Sequence, residues 1–333
     1  MTSSPYAIAV LGDGGWGTTL AIHFHRVGHR VRWWGAFAEY VNVLRRRREN
    51  VKFLPGIPIP RSLRITAELP EALASVQIVI LAVPSQYLRS VVRQVKHQPV
   101  RRAIVVSVAK GLERNSFKRM SEVIREELGP VRLAVLSGPN IAAEIARGHP
   151  ASTVVASSQP SIAETIQQAT MSRHMRVYTS TDVIGVELGG ALKNPIAIAA
   201  GVSDGLSFSA NAKAALITRG VVEMARLGVA MGAREATFWG LSGLGDLVTT
   251  CLAGRNRWLG EQLGRGRSLN ALLTSTPMVI EGVETTQAAL ALGRRYQVEL
   301  PTIDQVCAML FHRRSPRQVL HALMRRAAKA ESS

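Results

Sequence analysis

Residues 7–34 read AIAVLGDGGWGTTLAIHFHRVGHRVRWW. An apolar run at 7–11 breaks at Gly12-Asp13-Gly14-Gly15-Trp16-Gly17, a helical pattern follows over 18–29, and a second apolar run fills 31–34. Strand, glycine turn, helix and strand in that order give the spacing G-x-G-x-x-G a mechanical meaning that the spacing alone lacks. Gly12 permits the tight turn, Gly14 lets a diphosphate approach the backbone, and Gly17 lets helix and strand pack closely. The first helical turn leaves N–H groups unpaired, and these favour anionic oxygens. The stretch therefore predicts a dinucleotide-binding unit. The competing reading is a glycine-rich turn with a purely structural role.

Apolar runs recur at 63–66, 77–83, 103–108, 133–136, 152–156 and 175–179, with helical patterns at 68–74 and 87–95. Runs that are apolar at nearly every position suit strands buried on both faces. Their alternation with helices predicts a doubly wound parallel sheet, in which ligands sit beyond the carboxyl ends of the strands. Lys110 and the turn Ser137-Gly138-Pro139-Asn140 fall at such ends. The acid that reads a ribose is expected about 20 positions after the glycine turn. There the chain has Gly35-Ala36-Phe37 and no carboxylate. The absence leans toward NADP over NAD. The arginines at 45–48 are candidates to approach a 2′-phosphate, although a solvated helix face accounts for them more simply.

From about residue 181 the strand pattern stops, and helices are predicted at 185–201, 210–231, 259–263, 270–274, 285–296 and 303–311. At 333 residues the chain is long for one core. Two domains are expected, a nucleotide-binding domain over 1–182 and an all-helical domain over 183–333. The last residues, beyond 326, read as frayed. Residues 184–205, IGVELGGALKNPIAIAAGVSDG, are almost wholly apolar or small and carry one lysine, Lys193. An ammonium in such surroundings must find partners or lose its proton. Gly189 and Gly190 each cost a helix about 1 kcal/mol against alanine, which makes sense if something approaches that backbone closely. The plainer account has Lys193 snorkelling to water from the rim of a packed helix.

A hydrophobic fraction of 47% with 5% aromatics excludes a disordered chain and suits a core of small aliphatics. Cys251 and Cys307 supply neither a disulfide framework nor metal-ligand spacing, so no metal is expected and a reducing compartment is. No apolar run reaches the ~18 residues of a membrane span, and the N-terminal segment lacks a signal-peptide pattern. Cytoplasmic residence without membrane insertion is expected. The net charge of +18 invites a nucleic-acid reading. However, the excess is arginine, scattered except at 45–48 and 313–326, and aromatics are not interleaved with it. Compositional bias and solvated helix faces explain most of it, and anionic small molecules part of the rest, so no nucleic-acid partner is expected.

Several stretches combine in a fixed order: GDGGWGTTLA at 12–21, VPS at 83–85, AKGLE at 109–113, SGPNIAAE at 137–144 and IGVELGGALKN at 184–194. NAKAALITRG follows at 211–220, LSGLGDLVTTC at 241–251, RNR at 255–257 and VIEGV at 279–283. Together they resemble the bacterial NAD(P)-dependent glycerol-3-phosphate dehydrogenases over nearly the whole chain. The resemblance implies an N-terminal α/β Rossmann-like doubly wound sheet and an all-α C-terminal domain. It implies reversible reduction of a triose phosphate, dihydroxyacetone phosphate, to sn-glycerol 3-phosphate by NADPH or NADH, supplying phospholipid synthesis. It makes Lys193 the acid/base, with Lys110 touching substrate and cofactor and Asp246 completing the catalytic set. Burial and Lys110 would lower the pKa of Lys193, and Asp246 would oppose them. A helix N-cap is the other reading of Asp246.

The same resemblance assigns Arg255 and Asn256 to the substrate phosphate, and adds Gly138, Asn140, Asn194 and Gly254 to the substrate site, with Thr250 a secondary candidate. The cofactor would meet Gly12, Gly14, Gly15, Trp16, Gly17, Ala36, Lys110, Ala142, Arg255, Val279 and Glu281. Five positions depart from the family pattern. Asp13 replaces an alanine and brings a carboxylate near the diphosphate, and Gly15 replaces a serine. Ala36 stands where relatives carry a basic or histidine residue. Asn140 replaces Ser or Thr and Gly254 a serine, which removes hydroxyls from the polyol site. A β-hydroxyacid or ketopantoate-type reductase is the nearest rival, and would need a different anchor from Arg255-Asn256. A non-catalytic dinucleotide sensor that binds nucleic acid is a rival of another class, opposed by the intact Lys193, Lys110 and Asp246. The sequence leaves assembly open, a homodimer included.

Overall fold

Ten strands occur among residues 4–325, which the computed structural model describes. In chain order they are β1 (Ala7–Leu11), β2 (Arg30–Trp34), β3 (Glu49–Asn50), β4 (Leu54–Pro58), β5 (Arg64–Thr66), β6 (Ile78–Leu81), β7 (Ile104–Ser107), β8 (Arg132–Ser137), β9 (Ala151–Ala156) and β10 (Met175–Ser180). β3 and β4 form a separate antiparallel ribbon, and the other eight make one sheet in the order β10-β9-β8-β7-β6-β1-β2-β5. From β5 to β8 the pairing is parallel throughout. That order reverses direction between β1 and β6, the doubly wound arrangement whose crevice accepts dinucleotides. Every residue of β6 and β7 is buried, because helices cover both faces. Trp33, Phe24 and Leu20 anchor the core on one face, and Leu11, Leu81 and Val92 that on the other.

The far edge departs from an all-parallel sheet. β9 pairs antiparallel to β8, and β10 follows β9. The chain leaves β8 at Ser137, makes one short helix, Ala142–Ala146, and re-enters from the same end. Gly138 makes the reversal with φ +150°, where a Cβ would stand 3.0 Å from the Thr153 Cα. The frayed tail expected beyond residue 326 lies outside the described residues.

After β10 the chain is helical, built around the helix Val183–Gly205. Asp182 caps it, accepting from the Gly185 N–H at 2.9 Å. The expectation that no stretch is long enough for a membrane span is corrected here. This helix has 23 residues and is long and apolar enough to cross a membrane, but most of it is buried inside the protein. A helix apolar all round is also what a protein core requires. Its closest neighbour is the helix Arg255–Gly264. Gly201 and Gly205 on one helix face Gly260 and Gly264 on the other, at the same four-residue interval, and a Cβ on any of them would overlap the partner's backbone. The crossing fixes Arg255 and Asn256 relative to Lys193.

Gly260→Ala should therefore force these backbones apart and cost about 1–3 kcal/mol. Urea unfolding would show it as a lower midpoint with unchanged slope, and an unchanged midpoint would contradict the packing described.

Candidate active site

Four chain segments meet beyond the carboxyl ends of the central strands. Lys110 follows β7, Gly138 follows β8, Lys193 projects from the helix Val183–Gly205, and Asp246 opens the helix Asp246–Leu252. A π-helical turn, Leu241–Gly245, immediately precedes Asp246, with the Gly245 N–H donating to the Gly240 carbonyl at 3.1 Å. Turns of this kind recur at functional sites because they re-aim the next side chain. The glycines flanking Lys193 have their explanation here. A Cβ on Gly189 would stand 2.5 Å from the Ser242 carbonyl oxygen, and one on Gly190 would stand 2.6 Å from Ser137 Oγ.

Asp246 receives both ammonium groups. Lys193 Nζ donates to Asp246 Oδ1 at 2.5 Å and Lys110 Nζ donates to Oδ2 at 2.7 Å. Lys193 also donates to Thr250 Oγ1 at 2.6 Å, and Lys110 to the Gly138 carbonyl at 2.7 Å. The side chains of Lys193 and Asp246 are 6% and 2% exposed, whereas that of Lys110 is 19% exposed. Asp246 is thus not an N-cap: Gly245 holds that position, and the carboxylate serves the two lysines. Burial pushes the Lys193 pKa down to about 7 against the pull of Asp246, and the charge of Lys110 adds to the fall. An amine so placed gives or takes a proton near neutrality. Burial pushes the neighbouring Cys251 thiol up to about 12, so it stays protonated and is not a nucleophile.

A relay of amides leads from these lysines to the second cluster. Asn194 Nδ2 donates to the Lys110 carbonyl at 2.9 Å, and Asn256 Nδ2 donates to Asn194 Oδ1 at 2.8 Å. Asn256 Oδ1 accepts from the Gly282 N–H at 3.0 Å. Beside it Arg255 Nη1 donates to the Val279 carbonyl at 2.8 Å. The buried Glu281 accepts from the Ser85 N–H at 2.9 Å and from the Ser85 hydroxyl, tying the helical half to the end of β6. Lys110, Gly138, Lys193, Asn194, Asp246 and Asn256 are therefore linked directly, with Arg255, Val279 and Glu281 adjacent to them. Asn140 turns instead to β9, accepting from Thr153 Oγ1 at 3.1 Å. Gly254 caps the helix Arg255–Gly264 with φ +115°. Ser85, which the sequence offered only inside the stretch VPS, is a participant not singled out there. Apart from these clusters, Glu187 on the central helix is held by Arg119 Nη1 at 2.7 Å and Ser121 Oγ at 2.6 Å.

The glycine turn fits a dinucleotide diphosphate. Gly12 has φ +124°, and a Cβ there would stand 2.5 Å from the Ala82 carbonyl oxygen at the crevice between β1 and β6. Gly14 has nothing within 4 Å where a Cβ would stand, so its open face admits a ligand. The helix Gly15–Val27 has no side-chain cap and no acid in its first turn, which leaves its N–H groups for an anion. A side chain has no room at Gly15, where a Cβ would stand 2.6 Å from the Phe53 carbonyl oxygen. The Trp16 indole nitrogen is buried without a partner, and the Ala142 carbonyl accepts from Thr19 Oγ1 at 3.0 Å. Ala36 is exposed just beyond β2, and Asp13 is directed toward Gly35.

Comparison with known proteins agrees with this geometry. A family model described as the NAD-dependent glycerol-3-phosphate dehydrogenase N-terminus matches residues 7–163, and its C-terminal counterpart matches residues 182–321. A glycerol-3-phosphate dehydrogenase (NAD(P)+) of Syntrophotalea carbinolica is 47% identical over 329 residues, 97% of this chain and 99% of the relative. The crystal structure of glycerol-3-phosphate dehydrogenase from Coxiella burnetii superposes with a TM-score of 0.93 at 36% identity, covering 97% of this chain and 99% of that one. A ketopantoate reductase from Ralstonia eutropha shares the fold alone, at 17% identity and a TM-score of 0.59 over 94% of this chain and 99% of that one.

In protein labelled with ¹⁵N-lysine, the Lys193 Nζ resonance should titrate near pH 7, and Asp246→Asn should lower that value by removing the anion that opposes burial. A Lys193 titration in the ordinary lysine range would contradict the site as described.

Proposed function

The chain belongs to the NAD-dependent glycerol-3-phosphate dehydrogenase family, and from that premise we propose how its residues carry the family reaction. It interconverts dihydroxyacetone phosphate and sn-glycerol 3-phosphate with NAD or NADP. When bound, the nicotinamide exchanges a hydride with the substrate's central carbon. The ammonium of Lys193 gives its proton to the ketone oxygen as negative charge develops there. In the reverse direction the neutral amine takes that proton back. Asp246 and the Thr250 hydroxyl hold Lys193 in place, and Lys110 supplies a second positive charge beside the oxygen. Arg255 anchors the substrate phosphate, for which a guanidinium fork is suited, with Asn256 beside it. Gly138 and Asn194 line the substrate space, Gly254 lies at the start of the Arg255–Gly264 helix beside it, and the Asn140 amide, turned to β9, brings no hydroxyl to it. The residues of the glycine turn, with Ala142, Val279 and Glu281, hold the dinucleotide.

One observation carries this reading: two lysines share one buried carboxylate at the carboxyl end of a doubly wound sheet. The domain boundary at 182/183 is supported by the end of β10 at Ser180 and the start of the long helix at Val183. Supply of glycerol 3-phosphate to phospholipid synthesis, cytoplasmic residence, a homodimer and the absence of a nucleic-acid partner belong to the same proposal. The last is supported by arginines already engaged within the fold. Arg89 and Arg119 pair with acids, as does Arg257, and Arg45 bonds the Ile65 carbonyl.

Following reduced-cofactor absorbance with dihydroxyacetone phosphate tests the assignment. Lys193→Ala should lower kcat about 10²–10⁴-fold and leave cofactor affinity nearly intact. An unchanged kcat would remove the acid/base role.

A further inference from the structure

The carboxylate of Asp13 has no place in the reaction just described, yet its position is tightly set. The Asp13 carbonyl accepts from Asn50 Nδ2 at 2.8 Å, and that buried amide also donates to Thr18 Oγ1 at 2.7 Å. Asn50 Oδ1 in turn accepts from the Tyr40 hydroxyl at 2.6 Å and the Phe53 N–H at 3.0 Å. Held this way, Asp13 directs its side chain to the end of β2. A Cβ built on Gly35 would stand 2.7 Å from Asp13 Oδ2 and 2.8 Å from Val41 Cγ2, so only glycine there leaves the carboxylate its room. Asp13 Oδ2 is buried and accepts no hydrogen bond. Burial raises the Asp13 pKa above its ordinary value, and the charge of Lys52 offsets part of that. Lys52 itself lies over the Phe53 and Tyr40 rings, 5.0 and 5.9 Å from their centroids.

In folds of this order the end of β2 is where the adenosine ribose is read, by an acid for a 2′-hydroxyl or an arginine for a 2′-phosphate. β2 itself supplies neither. We propose that Asp13, from the glycine turn, reads the 2′ position of the cofactor ribose and makes the enzyme prefer NADH to NADPH. The inference rests on the dehydrogenase reading of the same site, and it reverses the lean toward NADPH drawn from the missing acid at Ala36. A ribose 2′-hydroxyl at the end of β2 would donate to the carboxylate of Asp13, a residue that is only partly buried. A 2′-phosphate sets like charges against each other. Two of the arginines that might have compensated are committed to backbone: Arg45 Nε donates to the Ile65 carbonyl at 2.8 Å, and Arg48 Nη1 to the Leu63 carbonyl at 2.9 Å.

Equilibrium binding of NADH and NADPH, read by nicotinamide fluorescence, tests this in the wild type, Asp13→Asn and Asp13→Ala. The wild type should bind NADH at least about tenfold more tightly than NADPH, and both variants should close most of that gap, chiefly by gaining NADPH affinity. The near-isosteric asparagine serves should the alanine variant fail to fold. Equal wild-type affinities, or a gap that neither substitution narrows, would overturn the role of Asp13 and leave the dehydrogenase reading standing. Failure of the wild type to bind either cofactor would overturn both.

Discussion

The ion pair between Lys193 and Asp246 is the constraint on which the rest of the molecule depends. A charge removed from water must be paired or given up, and here both remedies operate at once. Asp246 and Thr250 bond the amine, while burial brings its pKa to about 7. The carboxylate is shared with Lys110, which comes from the sheet half of the chain. One buried acid therefore joins the two halves where the proposed reaction takes place. Glu281 with Ser85 repeats the device at the end of β6, and Arg119 with Glu187 repeats it on the central helix.

Close backbone approach is the means by which these groups reach one another. Gly189 and Gly190 admit the π-helical turn and Ser137, and that turn delivers Asp246. The facing glycines of the helices Val183–Gly205 and Arg255–Gly264 then bring Arg255 and Asn256 to the same cleft. Helix propensity given up at each glycine, about 1 kcal/mol against alanine, is offset by burial and by hydrogen bonds that a wider spacing would forbid. A long apolar helix that would pass for a membrane span is in fact a core element carrying one buried lysine.

Much of this was legible in the sequence, and for identifiable reasons. The parallel strands of the main sheet carry their burial in their composition, so β6 and β7 read as uninterrupted apolar runs, whereas the ribbon β3–β4, with only two buried apolar residues, does not. The glycine turn announced the crevice, and the isolated Lys193 marked the buried cluster with Asp246 that the proposed function uses. The reversal of β9 was not legible, because strand direction is set by where the chain re-enters the sheet and not by residue pattern. The helix Met120–Leu128 was not legible because its exposed face is dense in charge and its apolar face narrow, and of Ala38–Arg47 only the arginine-bearing face suggested a helix. Asp13 looked like a liability beside a diphosphate. Only the tether through Asn50 and the missing side chain at Gly35, whose place the carboxylate takes, reveal that it faces the end of β2 instead.

The central claim is that the proton passed to the ketone oxygen comes from an amine whose pKa the fold has lowered to about 7. The pH dependence of kcat/KM in the two directions tests it most directly, since that ratio reports the free enzyme. Ketone reduction needs the ammonium, so its kcat/KM should be level below about 7 and fall as pH rises through that value. Alcohol oxidation needs the neutral amine and should rise over the same interval. Profiles that are flat through neutrality, or that break with the same sign in both directions, would contradict the account.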